Sequence, residues 1–218
     1  AYDAAVKNAT VLPTSSAVGR KGLDTSTFLG FTSTNTGESV SWGLEGLVND
    51  FGIGTMAAKL AKDPATPEAR RAQLTEESKY FLERATHYGN LFNPKVGFFQ
   101  GRAADGSYPA DFDPQDWGGD YTETNACNFA FHAPHDGNGL ATLYGGLGAL
   151  AHKLDTIFSP PVPAATTIAL PMPRPVASHS ATVAPSNDAG TATRAELASA
   201  GRQLGSRTRA NSAACPAP

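Results

Sequence analysis

After Phe158 the chain changes character. Proline recurs at residues 160, 161, 163, 171, 173 and 175, and no aromatic residue follows to the end. Each proline removes a backbone donor and interrupts a helix or a central strand. A stretch of this composition buries too little apolar surface to offset the entropy of ordering it. A packed domain must therefore come from residues 1–158. Residues 159–218 are expected to be a Pro/Ala/Ser-rich, low-complexity, disordered tail, with Thr193–Leu204 as one short candidate helix.

Within residues 1–158 the apolar positions repeat at helical spacing. Leu44, Leu47, Val48, Phe51 and Leu60 form one stripe, and Leu74, Phe81, Leu82, Ala85 and Tyr88 a second. Leu140, Leu143, Tyr144, Leu147, Leu150, Leu154, Ile157 and Phe158 form the third, with Gly145-Gly146 expected to bend it. Ser39 or Ser41 is a candidate cap for the first helix. Asp63-Pro64 should break it, and Pro67 suits the first turn of the next. Gly43, Gly46, Gly52 and Gly54 weaken a free helix, so the first stripe must pack tightly against neighbours. Opposite the second stripe, Arg70, Arg71, Glu76, Glu77, Lys79, Glu83 and Arg84 read as a solvated face. Ala1–Asn8 looks like the last part of a helix, and Pro13 through Thr36 reads as a loop. Lys95–Arg102 reads as a turn into a short extended piece. With so little strand signal, the fold class is mostly α.

The formal charge of −3 gives no reason to expect nucleic acid or an anionic membrane as partner. No apolar run approaches the roughly 18–20 residues of a membrane span. The sequence starts at Ala1 without a signal peptide and reads as a processed chain or a fragment. Its two cysteines, Cys127 and Cys215, imply neither a disulfide framework nor a zinc motif. Cys127 is expected as a buried thiol.

Chemistry concentrates between Trp117 and Leu140. Asp120, Glu123, His132, His135 and Asp136 stand there among Trp117, Tyr121, Phe129 and Phe131. Aromatic faces suit the C–H side of a pyranose, carboxylates accept from its hydroxyls, and a protonated carboxyl serves as a general acid. The competing reading is structural, since Glu and His beside aromatics are also common at helix ends and in hydrogen-bonded cores.

The run Tyr121-Thr122-Glu123-Thr124-Asn125-Ala126-Cys127-Asn128-Phe129, followed by Pro134-His135-Asp136 and Gly139-Leu140, resembles the hallmark of the glycoside hydrolase family 92 α-mannosidases. Glu38-Ser39-Val40-Ser41 with Leu44-Glu45 and Asn49-Asp50, the segment from Gly89 to Arg102, and Lys153-Leu154-Asp155 with Phe158 are similar to that family too. Cys127 stands where the family has Trp, and Asn128-Phe129 where it has Gln-Tyr. The resemblance ends near Phe158. It implies that residues 1–158 are an incomplete part of an (α/α)6 barrel. It also implies that Glu123 is the general acid of an exo-acting, inverting, calcium-assisted α-mannosidase acting on mannose-containing glycans. Arg20, Arg102, Trp117, Asn125, His135 and Asp136 are the substrate-binding candidates, and Glu45 is a weaker one. Trp117, Tyr121 and Phe129 are expected to hold the proton on Glu123 by desolvation.

The family's second carboxylate lies in a Gly-Asn-Asp-Asp segment and its calcium ligands near Gly-Asn-Glu-Pro. Neither motif occurs in this sequence, so no metal ligand is assigned and very weak or no turnover is expected of the chain alone. Asp120 and Asp136 are the conceivable substitutes for the base. A different class of function is a non-catalytic helical carbohydrate-binding or interaction module, and a third is a purely structural helical fragment. Family members meet glycans outside the cytoplasm, which makes an extracellular or periplasmic site the expectation. The oligomeric state is left open.

Overall fold

A computed structural model describes residues 1–15 and 17–158. The tail and its candidate helix at Thr193–Leu204 lie outside the described residues. Seven α-helices and one small hairpin make up the rest. They are α1 (Tyr2–Thr10), α2 (Leu23–Leu29), α3 (Ser39–Lys62), α4 (Glu68–Arg84), β1 (Phe92–Asn93), β2 (Phe98–Phe99), α5 (Ala126–Phe129), α6 (Gly137–Leu143) and α7 (Leu147–Phe158), with a 3₁₀ segment at Ala85–Leu91. The strands are antiparallel, with Phe92 opposite Phe99 and Asn93 opposite Phe98.

Helix α3 is the spine, and its two ends pack into two cores. Ile53 and Ala57 meet Tyr2 and Ala9 of α1 and Leu74 and Phe81 of α4. Val40, Leu44 and Leu47 join Leu91, Phe98, Phe99, Tyr121 and Leu140 in the larger one. The expected tight packing of its glycines is present. A Cβ on Gly43 would lie 3.0 Å from Leu91 Cδ1, and one on Gly54 would lie 2.8 Å from Leu82 Cγ and 3.0 Å from the Leu82 backbone nitrogen. Alanine at Gly54 would gain about 1 kcal/mol of helix propensity but force the α3–α4 contact apart, which typically costs about 1–3 kcal/mol. Gly54→Ala is therefore expected to lower stability by about 1 kcal/mol net, read as an earlier urea midpoint at unchanged slope.

Several sequence expectations need correction. The Pro13–Thr36 loop contains α2, bounded by Gly22 and Gly30 in left-handed conformation (φ 68° and 72°). No side chain caps α3. Glu38 holds the cap position at φ 57°, and the Val40 and Ser41 N–H groups donate to the backbone oxygen of Asp120 at 3.0 and 3.3 Å. Pro67 takes the cap position of α4, one residue before its first turn. Gly145 and Gly146 do more than bend the third stripe. At φ 92° and 119° they divide it into α6 and α7. Helix α7 has no fully buried residue, although Leu150 and Ile157 pack partly against the larger core. On the charged face of α4, Lys79 pairs with Glu76 at 2.7 Å in solvent, as expected. Arg84 does not join that face, for it turns inward.

Candidate active site

The loop bearing Glu123 is anchored on the open end of α3. The first turn of a helix carries backbone donors without internal partners, and here the loop backbone accepts them. Besides the two bonds to Asp120 O, Glu38 N–H donates to Gly119 O at 3.2 Å. Ser39 Oγ donates to Asp120 Oδ1 at 2.8 Å, and Ser41 Oγ accepts from Thr122 N–H at 2.9 Å. Gly118 N–H closes the loop on Thr124 O at 2.8 Å. The two serines expected as caps are thus loop anchors. Beneath the loop, Gly101 has no room for a side chain, because a Cβ there would overlap the Asp120 carboxylate.

Glu123 sits in this frame at φ 48°. A non-glycine residue in the left-handed region is strained by about 1–3 kcal/mol and persists only where its surroundings dictate it. Its side chain is exposed. The expected aromatic enclosure is not formed by the described residues. Tyr121 is buried, and its hydroxyl donates to Phe99 O at 2.6 Å. That burial pushes its phenol well above the ordinary range. Phe129 stacks on His132, with ring centroids 4.5 Å apart. Trp117 is 60% exposed. His132 Nε2 lies 3.0 Å from Glu45 Oε1, in a geometry that suits a charge pair when the ring is protonated but is not a hydrogen bond.

The other substrate-binding candidates have structural partners. Arg20 is not a solvated loop cation. It is 11% exposed and pairs with Asp50 at 2.7 and 3.0 Å. Arg102 donates to the carbonyls of Gly106 (2.8 Å) and Asn90 (2.9 Å), with its guanidinium over the Phe31 and Tyr108 rings. Asn125 is 2% exposed and caps α5, accepting from Asn128 N–H at 3.2 Å. Asp136 caps α6, accepting from Gly139 N–H at 2.8 Å and from the Tyr88 hydroxyl at 2.7 Å. Those two donors hold its carboxyl below the usual carboxylate range, the Gly139 bond contributing most. His135 Nε2 lies 2.9 Å from Ala85 O, and the ring packs edge-on against Tyr88. Of the candidates, Trp117, Glu123 and the weaker one, Glu45, face solvent. The family's usual Trp position holds Cys127, buried as expected, whose thiol donates to Pro114 O at 3.2 Å.

The same loop walls a recess of about 160 Å³, lined by Gly118–Tyr121 and by Gln100, Gly101, Asp111, Asp113 and Asp116. Glu123 is not among the residues that line it. The three aspartates were missed in the sequence. Their signal was the close spacing Asp111-Phe112-Asp113-Pro114-Gln115-Asp116, which passes for a polar turn. Among the described residues no three acidic, histidine or cysteine side chains converge as a metal site.

The chain matches the model of the glycosyl hydrolase family 92 catalytic domain over residues 1–214. The chain belongs to glycosyl hydrolase family 92. The match runs past Phe158, where the sequence resemblance was expected to end. Among solved structures the family 92 domain is similar to an inverting mannosidase of that family from Bacteroides thetaiotaomicron, with 25% identity and a TM-score of 0.63 over 72% of this chain and 20% of that one. It is also similar to a family 92 α-mannosidase from the same organism, at 24% identity and a TM-score of 0.58 over 72% of this chain and 19% of that one. That enzyme in complex with mannoimidazole gives 23% identity and a TM-score of 0.59 over 74% and 20% of the two chains. No curated protein matches. The chain thus spans about a fifth of the solved structures it resembles, and its helices are part of the family's (α/α)6 barrel.

Proposed function

We propose that this family 92 glycosidase domain supplies the proton-donor side of an exo-acting, inverting α-mannosidase site. The observation that carries the reading is Glu123, an exposed carboxylic acid in a strained backbone conformation, on a loop that is fixed to α3 and whose residues Gly118–Tyr121 help to wall an acidic recess. Protonated Glu123 gives its hydrogen to the glycosidic oxygen as the bond to the anomeric carbon breaks. Water attacks the opposite face of the sugar, and its proton passes to a second carboxylate, roughly 6.5–9.5 Å from the first in an inverting site. Neither substitute within the described residues suits that task. Asp136 is held by Gly139 and Tyr88, and Asp120 by Ser39 against Gly101. The base and the enclosure of Glu123 belong, in this reading, to polypeptide outside the described residues.

Calcium is the implied cofactor of the family. It takes six to eight oxygen ligands, and the described residues do not assemble such a set, so no step is derived through it. Mannose-containing glycans, met in the periplasm or outside the cell, are the proposed substrates.

The test is transplantation. Residues 1–158 replace the corresponding fifth of the similar inverting mannosidase, and mannose release is measured from an α-linked mannobiose with calcium present. Release is expected, falling about 10²–10⁴-fold on Glu123→Gln. A chimera that releases mannose equally well with glutamine would refute the acid assignment. The 218-residue chain alone is expected to release mannose very weakly or not at all. The exposure of Glu123 favours one competitor, a helical sugar-binding module. It predicts mannose binding by the chain alone that survives Glu123→Gln and needs no calcium.

A further inference from the structure

A second recess lies between α2, α3 and the end of α4, and its electrostatics are unbalanced. Arg20 and Arg84 converge on Asp50, whose side chain is wholly buried, while the two arginine side chains are 11% and 12% exposed. Arg84 reaches Asp50 through Nε at 2.7 Å and Nη2 at 2.6 Å, the Ala9 carbonyl through Nη2 at 3.0 Å and the Tyr80 hydroxyl through Nη1 at 3.2 Å. Arg20 makes its two contacts with Asp50 through Nη1 and Nη2. A guanidinium has five N–H donors. The Arg20 Nε–H and the outer N–H on each Nη therefore have no partner among the described residues. Two cations and one anion leave a formal charge of +1 almost out of water, which is costly unless a counter-charge is at hand.

The recess beside this cluster has a volume of about 40 Å³ and is lined by Arg20, Ser26, Thr27, Trp42, Arg84 and His87 among others, with Asp50 its only acidic wall. One water needs about 10–15 Å³ on this measure, so the space takes a small ion and a water or two but not a sugar ring. Ser26 Oγ has no hydrogen bond within the described residues and is the neutral donor at hand.

We propose that this recess binds a small monovalent anion of the halide class, which neutralises the Arg20–Asp50–Arg84 cluster and ties α2 to α3. The site is independent of the glycosidase reading. Thermal unfolding of the 218-residue chain, in sodium chloride against sodium gluconate at equal ionic strength, tests it. The melting temperature is expected to rise with chloride, and to go on rising logarithmically once chloride exceeds its dissociation constant, as for any ligand that binds only the folded state. Ser26→Ala should fold and weaken the apparent chloride affinity about fivefold, the loss of one hydrogen bond. Arg20→Gln should abolish the response. Bromide soaked into crystals should give an anomalous peak between Arg20 and Ser26. Equal melting in the two salts, a response untouched by Ser26→Ala, or a recess holding water alone in bromide would each overturn the proposal, even if the Arg20 variant failed to fold.

Discussion

Asp50→Ala is expected to destabilise the domain by about 3–5 kcal/mol, the range for removing one partner of a buried ion pair. The cost arises because the variant leaves Arg20 and Arg84 facing each other with no carboxylate between them. Arg84 would keep its bond to Ala9 O and so remain held in place. The loss should show as a lower urea midpoint. A second measurement separates charge from packing. Arg84→Met in the same background removes one stranded cation, so it should recover part of the loss. Two single losses that simply add in the double variant would mean that the cluster does not act as a unit.

The cluster also shows what could be read from the chain and what could not. The first two amphipathic stripes, the break at Asp63-Pro64 and the short extended piece holding Phe98-Phe99 are periodic or local signals, and each appears near its expected place, whereas Gly145-Gly146 divide the third stripe into two helices. Arg20, Asp50 and Arg84 stand 30 and 34 residues apart. Each alone is an unremarkable charge on a loop or a helix face, and no local rule announces that three elements fold them together. Ser39 and Ser41 carried a true signal for a helix start, but the acceptors for the first turn came from Asp120, 80 residues downstream. Glu123 was legible through its motif. Its left-handed backbone was not, because the conformation is imposed by contacts to α3 and not by its own residue type. The aromatic enclosure failed for a related reason. Closeness in sequence says that Tyr121 and Phe129 lie nearby, not that their rings turn toward the acid. Successive residues of an irregular loop face in different directions.

Asp136 separates a structural from a substrate-binding role most sharply. Asp136→Ala removes the cap of α6, worth about 0.5–2 kcal/mol, and strands the Tyr88 hydroxyl. Tyr88 is 3% exposed, and an unpartnered buried hydroxyl costs about 1–3 kcal/mol. Together the loss should reach about 2–4 kcal/mol. The Tyr88 phenol is itself pushed above its ordinary range, chiefly by burial, so it stays protonated and keeps donating at neutral pH. Because the folded carboxyl is held below its usual range, its contribution is complete above the unfolded value, near 3.9. It is lost as pH falls through the lower folded value. Asp136→Asn keeps an oxygen that accepts from Gly139 and Tyr88 but cannot titrate. It should cost much less than alanine at pH 7, and the difference from the native chain should shrink below pH 4. A substrate ligand would behave otherwise. In the mannosidase chimera Asp136→Asn should leave mannose release within a few-fold of the parent. A large loss of release at unchanged stability would return Asp136 to the sugar site, where its sequence motif first placed it.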